Sequence, residues 1–287
     1  MKKKFIILLV IMTVFLCTGC KQDDMEDIDI IVTNYANEYI TSKLYGKHAN
    51  IESIYPDGVS TNSYKITKKQ KNDFSSKGLF IYNGLIDKER KLAVDLLDLN
   101  SNLRIIDTAY VLEEDYSPEE LWLNPSSLLM MAKNVQLGLD EYVTSTYLQK
   151  EIDDAYEQLK VKLSELDADY RVAVQDTKDK TIVVNEESLM YLEKFGINVI
   201  CIDDKASQKT IDTVKDLIKN GSISYIYNFK GDLLSNNSKK LLEQYSDLKE
   251  VKLHKIDNLT DKEREEKKDY VSLMNDNLDL LKQEMYQ

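Results

Sequence analysis

Side chains able to run covalent chemistry or hold a soft metal are scarce in this 287-residue chain. There are two histidines, His48 and His254, and three cysteines, Cys17, Cys20 and Cys201. Two imidazoles cannot build a histidine-rich metal-collecting loop, nor a three-histidine zinc site. No Gly-x-Ser-x-Gly elbow, phosphate loop or Gly-x-Gly-x-x-Gly turn occurs, and no nucleophile–base pair is visible. Nothing therefore supports a hydrolase, a nucleotidase or a dinucleotide enzyme. Carboxylates are abundant, with 50 acids against 38 bases for a formal charge of −12. Such oxygen donors suit hard cations when several converge. An acidic body lacks the basic footprint that nucleic-acid binding needs, although surface charge by itself is commonly a solubility device.

The first chemical position is Cys20. Lys2, Lys3 and Lys4 precede an apolar run from Phe5 to Leu16, then come Cys17-Thr18-Gly19-Cys20 and the polar Lys21-Gln22-Asp23-Asp24. A basic start, a short apolar core and an abrupt polar switch read as a signal peptide. The run is shorter than the roughly 20 residues a spanning helix needs. Its end resembles a lipobox, with Cys17 where that motif usually has leucine. The reading is cleavage before Cys20 and acylation of its thiol, with the mature chain lipid-anchored on the outer face of the cell membrane. One acyl chain binds only marginally, and a diacylglycerol supplies the second that stable anchoring requires. Losing residues 1–19 removes three lysines and no acids, so the mature charge moves from −12 to near −15. Cys201, within Val199-Ile200-Cys201-Ile202, reads as a buried strand cysteine. With Cys17 removed and Cys20 acylated, it has no disulfide partner.

The elements that would position a site alternate in type. Short β-branched or apolar runs at Ile28–Thr33, Asn50–Tyr55, Gly78–Tyr82 and Leu103–Asp107 alternate with helical spacing at Asn34–Tyr45, 65–76 and Ile86–Leu97. Alternation of this kind implies a parallel sheet covered by helices. Pro125 opens a helix, as proline does at a first helical position. Ile152, Tyr156, Leu159, Leu163 and Leu166 then keep an i, i+3, i+4 stripe through a glycine-free stretch, the mark of a long amphipathic helix. A second half follows with strands expected at Tyr170–Val174, Thr181–Val184, Asn198–Ile202, Ser224–Phe229 and Val251–Ile256. Helices are expected at Ser188–Phe195, Lys209–Asn220, Asn236–Tyr245 and Lys267–Met285. The charged run Asp261–Lys268 reads as a solvated loop or helix start. The fold class is α/β: two α/β lobes with parallel sheets joined by one long linker helix. The expected divisions are a signal peptide 1–19, a lipidated tether 20–27, an N-terminal lobe 28–145, the linker helix 146–170 and a C-terminal lobe 171–287.

Several motifs, in order, carry a resemblance. They are Val32-Thr33-Asn34-Tyr35 with Tyr39, Tyr55-Pro56-Asp57-Gly58, Gly78-Leu79-Phe80-Ile81-Tyr82-Asn83-Gly84, Trp122-Leu123-Asn124-Pro125, and Tyr270 with Met274, Asn277 and Leu278. Two of the three prolines and the sole tryptophan fall on them. From Ile28 to Gln287 the chain resembles the zinc- and manganese-binding lipoproteins of ABC importers, the cluster A-I metal-binding receptors. The resemblance implies two lobes joined by a rigid helix, a small closing motion, a divalent metal ion (zinc or manganese) as cargo in the cleft, and an ABC permease with its ATPase as partners. It also implies a monomer that performs no covalent chemistry.

The resemblance places the metal ligands at Asn62, Glu120, Asn185 or, with a one-residue shift, Glu186, and Asp257. The family's histidines are absent from these places, and only Asp257 carries over by identity. An Asn/Glu/Asp set offers oxygen alone, which suits manganese, magnesium or calcium better than zinc. Three arrangements stay open. The site binds a metal through oxygens; or the cleft has lost metal, leaving a degenerate relative that serves as a surface interaction or adhesion lipoprotein; or His48 or His254 enters the site. His254 precedes Asp257 by three residues, a spacing that in a strand sets the two on opposite faces.

Overall fold

The computed structural model describes residues 23–175, 177 and 181–286. The signal peptide and Cys20 lie outside these residues. Among the described residues, eight strands form two sheets. β1 (Ile28–Val32), β2 (Ala49–Ser53), β3 (Leu79–Tyr82) and β4 (Arg104–Asp107) make the first, in the order β2-β1-β3-β4. β5 (Thr181–Val184), β6 (Asn198–Cys201), β7 (Tyr225–Phe229) and β8 (Lys249–Leu253) make the second, in the equivalent order β6-β5-β7-β8. Every pairing is parallel. All four residues of β3 are buried, as expected of a parallel strand covered on both faces.

In the first lobe α1 (Tyr35–Tyr45), α2 (Lys68–Ser75), α3 (Asp87–Leu99), the one-turn α4 (Glu120–Leu123) and α5 (Pro125–Tyr142) surround the sheet. α6 (Thr146–Gln175) is the linker, with 30 residues and a length of about 45 Å. In the second lobe a 3-10 helix (Glu187–Phe195) precedes α7 (Gln208–Lys219), α8 (Asn236–Gln244), α9 (Asp261–Glu265) and α10 (Tyr270–Met285). None of the described helices is long and apolar enough to cross a membrane.

Local chemistry explains the boundaries. Asn34 caps α1 by accepting from the Asn37 amide at 2.9 Å, and Asn124 with Pro125 starts α5, both standard helix openings. Gly196 ends the 3-10 helix at φ 89°, a backbone angle that glycine adopts without steric penalty.

The linker runs to Gln175, five residues past the expected end, and Tyr170–Val174 is helix rather than strand. Alternation in Tyr-Arg-Val-Ala-Val mimics a strand, but Leu163, Leu166, Tyr170, Ala173 and Val174 also continue the buried helical stripe. A helix already formed adds each further residue at little cost, which decides between the two patterns. Residues 23–27 are likewise no free tether. Met25 is fully buried, and Asp23 accepts from the amides of Thr144 (2.7 Å) and Ser145 (2.6 Å) just before α6.

One apolar core runs without a break through both lobes. It takes in Ile30 and Leu79 from one sheet, Ile182 and Leu253 from the other, and Ile152, Leu159 and Leu166 of α6 between them. Two smaller cores lie under the outer helices of each lobe. The lobes are therefore parts of one packed body, with the cleft as its open seam.

Candidate functional site

In an open parallel sheet the strand order reverses at one point, and ligands settle in the crevice beyond the strand C-termini there. The reversals here fall between β1 and β3 and between β5 and β7. The segments that leave these strands carry Thr33 and Asn34, Asn83, Asn185 and Glu186, and Lys230–Asp232. The two crevices face each other across the lobe boundary and enclose two adjoining cavities. One, of about 270 Å³, includes Asn34, Asn62, Lys88, Glu89, Glu119 and Trp122 in its lining. The other, of about 190 Å³, includes Ser60, Asp232, His254 and Glu263. Lys255 and Asp257 line both.

Lys255 is the charge at the centre. Its residue is 8% exposed, and its ammonium lies 3.0 Å from Asp232 Oδ2 and 3.7 Å from Glu119 Oε1, over the Phe229 ring at 5.5 Å. Burial alone would lower its pKa, but Asp232, Glu119 and Glu186 more than offset that and hold the ammonium above the ordinary lysine range. The Trp122 indole N–H donates to the Lys255 carbonyl at 2.9 Å, so the backbone of the second lobe is fastened to the first at this residue.

The five residues expected to hold a metal are only partly brought together. Asn62 and Asp257 line the same cavity, and Asp257 Oδ2 accepts from the Thr61 hydroxyl at 2.7 Å. Glu186 lies within electrostatic reach of Lys255 but lines neither cavity. Burial, then Asp232 and Glu119, push its carboxyl up to about 7 despite the ammonium, and its Oε1 has no hydrogen-bond partner among the described residues. Asn185 is occupied elsewhere: Oδ1 accepts from the Ser235 amide at 2.8 Å, and Nδ2 donates to Asn228 Oδ1 and the Leu233 carbonyl. Glu120 is fully buried, accepts from the Asp115 amide at 2.5 Å and pairs with Lys194 at 3.4 Å. Its neighbour Glu119 is the one that lines the cleft. Successive helical residues point about 100° apart, so a one-residue step selects the cleft or the interior.

The histidines take different places. His48 pairs with Glu151 of α6 at 2.7 Å. His254 shares a cavity with Asp257, contrary to the opposite-face expectation. β8 ends at Leu253, and Ile256 turns the chain at φ 59°, so strand alternation does not extend across these residues. His254 Nδ1 accepts from the Ile256 amide (2.9 Å) and Nε2 lies 3.1 Å from Glu263, which commits both ring nitrogens. Burial lowers its pKa although Glu263 opposes the shift.

Sequence reasoning missed Glu119, Asp232 and Lys255, and also Glu89. The last is 4% exposed and accepts from the Thr33 hydroxyl at 2.5 Å and the Asn83 amide at 2.8 Å, which ties the ends of β1 and β3 at the strand-order reversal. Burial pushes its carboxyl up to about 7 against the pull of those two hydrogen bonds. The available signal was a lysine inside Leu253-His254-Lys255-Ile256, a stretch otherwise suited to burial.

As arranged, the cleft does not offer a ready cage for a divalent ion. No group of three or more histidine, cysteine or acidic side chains among the described residues could hold one. The acids that do gather are already paired with an ammonium, which would repel an incoming cation.

Comparison with known proteins agrees with the fold. A family model for the periplasmic zinc-uptake complex component A, ZnuA, matches residues 30–284. The zinc-binding protein AdcA of Streptococcus pyogenes is 24% identical over 321 residues, covering 98% of this chain and 61% of its own length. The chain thus spans about three fifths of that relative. The high-affinity zinc uptake protein ZnuA of Bacillus subtilis is 21% identical, covering 92% of this chain and 89% of its own. Among solved structures, the Zn(II)-bound ZnuA-like domain of Streptococcus pneumoniae AdcA superposes with a TM-score of 0.73 at 21% identity, over 91% of this chain and all of that one. The laminin-binding protein Lmb of Streptococcus agalactiae, described as both adhesin and metal transporter, gives 0.73 at 16% identity over 90% and 99%. The match over nearly the whole described chain and the paired parallel sheets place this protein in the ZnuA family of solute-binding transport proteins, which are not enzymes.

Proposed function

We propose that this chain is the extracytoplasmic receptor of a zinc-type ABC importer, anchored by lipid at Cys20. As a monomer it takes up a divalent cation between its lobes and passes it to a permease and its ATPase. One observation carries the cation class: carboxyls of both lobes, Glu119 from the first and Asp232 from the second, pair with a buried positive charge at the seam. Across both cavities six acids face three lysines, so even with Lys255 in place the lining is formally negative, which favours cations over anions. The names of the relatives make zinc the first ion to try. The oxygen-only donors make manganese the second. The S. pneumoniae AdcA relative is named a lipoprotein, in keeping with the Cys20 anchor.

The decisive measurement is metal content after purification, with thermal unfolding in graded zinc, manganese and calcium. A cargo ion bound only by the folded state raises the melting temperature steadily with concentration. No response to any of the three would sink the cation reading. A second reading, a surface interaction lipoprotein that keeps the closed scaffold, is favoured by the partial neutralisation of the cleft from within by Lys255. In that case chelators would leave both stability and partner binding unchanged.

A further inference from the structure

We infer that the lipid bilayer is the partner of one particular end of this molecule: the clip at Asp23 turns the end of the first lobe where its strands begin to the lipid headgroups, and holds the cleft facing away from them. This rests on the reading of Cys20 as the acylated residue and adds the orientation that the anchor imposes.

The clip is built into the fold. Asp23 is 7% exposed and accepts from the Thr144 and Ser145 amides and the Thr144 hydroxyl, between α5 and α6. Met25 is fully buried, its carbonyl accepts from the Tyr45 hydroxyl at 2.9 Å, and the Asp27 amide donates to the His48 carbonyl at 2.8 Å. These partners share one end of the lobe, and the cleft is at the other. α1 starts next to Asn34 on the cavity wall and ends at Tyr45; α5 starts at Pro125, close to Trp122 of the cavity lining, and ends at Tyr142. Helices of 11 and 18 residues set the clip about 16–27 Å from the cleft.

Only Lys21 and Gln22 separate Asp23 from Cys20. At full stretch the chain from residue 20 to residue 23 reaches about 11 Å, which is less than that separation. Acyl chains fix Cys20 at the headgroup layer, so the body cannot turn its cleft to the bilayer while the clip holds. Freed as far as Ile28, the same tether would reach about 28 Å, enough to turn. Capture of cargo from outside therefore suits the clipped state, and delivery to a membrane permease requires residues 23–27 to let go. The clipped end tolerates a headgroup layer: Lys47 is exposed there and Tyr147 is 66% exposed, both with an apolar stem or ring and a polar tip. Asp24 and Glu26 at the same end oppose attraction to anionic lipid, so the anchor and not affinity makes the contact.

The test uses the acylated chain purified from membranes, with Cys201→Ser and a single dye attached through either Lys47→Cys at the clipped end or Ser60→Cys at the cleft. The protein is placed in phosphatidylcholine vesicles that carry a headgroup quencher. With the two ends about 20 Å apart, the Lys47→Cys dye should be quenched at least about threefold more than the Ser60→Cys dye. Asp23→Ala should bring the two towards equality. A second variant leaves the folded body untouched: ten Gly and Ser residues inserted between Gln22 and Asp23 add about 17 Å of reach and should equalise the two dyes as well.

The outcomes separate orientation from anchoring. If mass spectrometry finds no acyl group on Cys20, the anchor reading falls and the orientation with it. If Cys20 is acylated but the two dyes of the otherwise unaltered chain are quenched alike, the orientation alone is overturned. A wild-type difference that survives the inserted tether also overturns it, since a short tether would then not be its cause. If Asp23→Ala does not fold, the inserted tether decides: equalised dyes uphold the orientation, and an unchanged ratio refutes it.

Discussion

Glu89 shows how a single buried carboxyl can shape the whole stability profile. Burial raises its pKa in the folded state to about 7, well above the ordinary value of 4.5. The folded protein therefore binds this proton more tightly than the unfolded chain does. The resulting stabilisation is fully present below the unfolded pKa and is lost as pH rises through 7. Across that window the loss amounts to about 3 kcal/mol. Glu89→Gln keeps one oxygen to accept from both Thr33 and Asn83 but has no proton to lose. Chemical denaturation of both proteins at several pH values should show the variant gaining on wild type as pH rises from about 5 to about 8. A difference that stays constant with pH would sink the assignment. Glu89 was not legible as special in Asp87-Lys88-Glu89-Arg90, because nothing local distinguishes it from three charged neighbours. Its burial follows from the distant Thr33 and Asn83. Lys255 was hidden for the same reason: Asp232 and Glu119 lie 23 and 136 residues away in sequence. Asp257 was readable because a motif marked it, and the structure sets it on the cleft wall.

At the scale of elements, most of the fold could be read because periodicity is local. The alternation of short apolar runs with amphipathic stretches gave both sheets and the long helix without knowledge of any distant contact. The misjudged segments were those where two periods overlap, as at Tyr170–Val174, or where a polar run is recruited by a partner far along the chain. Asp23 is the clearest case of the second. Its Oδ2 accepts from the Thr144 amide and hydroxyl and from the Ser145 amide, and its Oδ1 accepts from the Met25 amide. The four bonds fix residues 23–25 against the start of α6, while the Tyr45 hydroxyl donates to the Met25 carbonyl. From composition, Asp23-Asp24 looked like solvated spacer; its role depends on amides at the end of α5 and before α6. Asp23→Ala should lower unfolding free energy by about 1–2 kcal/mol, as loss of a helix-capping carboxylate does. Hydrogen exchange should report faster opening at the first turn of α6. Unchanged stability together with unchanged exchange there would contradict the capping role.

At the scale of the whole molecule, the question is whether two lobes behave as two bodies. Their polar ties are numerous. Arg264 of α9 makes a paired contact to Glu38 at 2.6 and 2.9 Å and another to Asp57 at 2.5 Å. Asn258 donates to the Pro56 and Val59 carbonyls, the Gly58 amide donates to Leu259, and the Tyr270 hydroxyl donates to the Trp122 carbonyl at 2.7 Å. Beneath these ties the apolar core passes unbroken from one sheet to the other along α6. Exposed ion pairs alone would add little, but a shared core makes separation of the lobes expose buried apolar surface on both sides. Opening must then be small, a local loosening of the seam around Lys255 rather than a wide hinge. Unfolding must likewise be shared: destabilising one lobe removes the surface on which the other packs. Calorimetry should therefore give one transition whose measured enthalpy matches the van't Hoff value. Arg264→Ala should shift that single transition downward without splitting it, and should raise hydrogen-exchange rates in β1 and β7 by similar factors. Two resolved transitions, or faster exchange confined to one sheet, would mean that the lobes fold independently. The rigid frame around the cleft would then have to be given up.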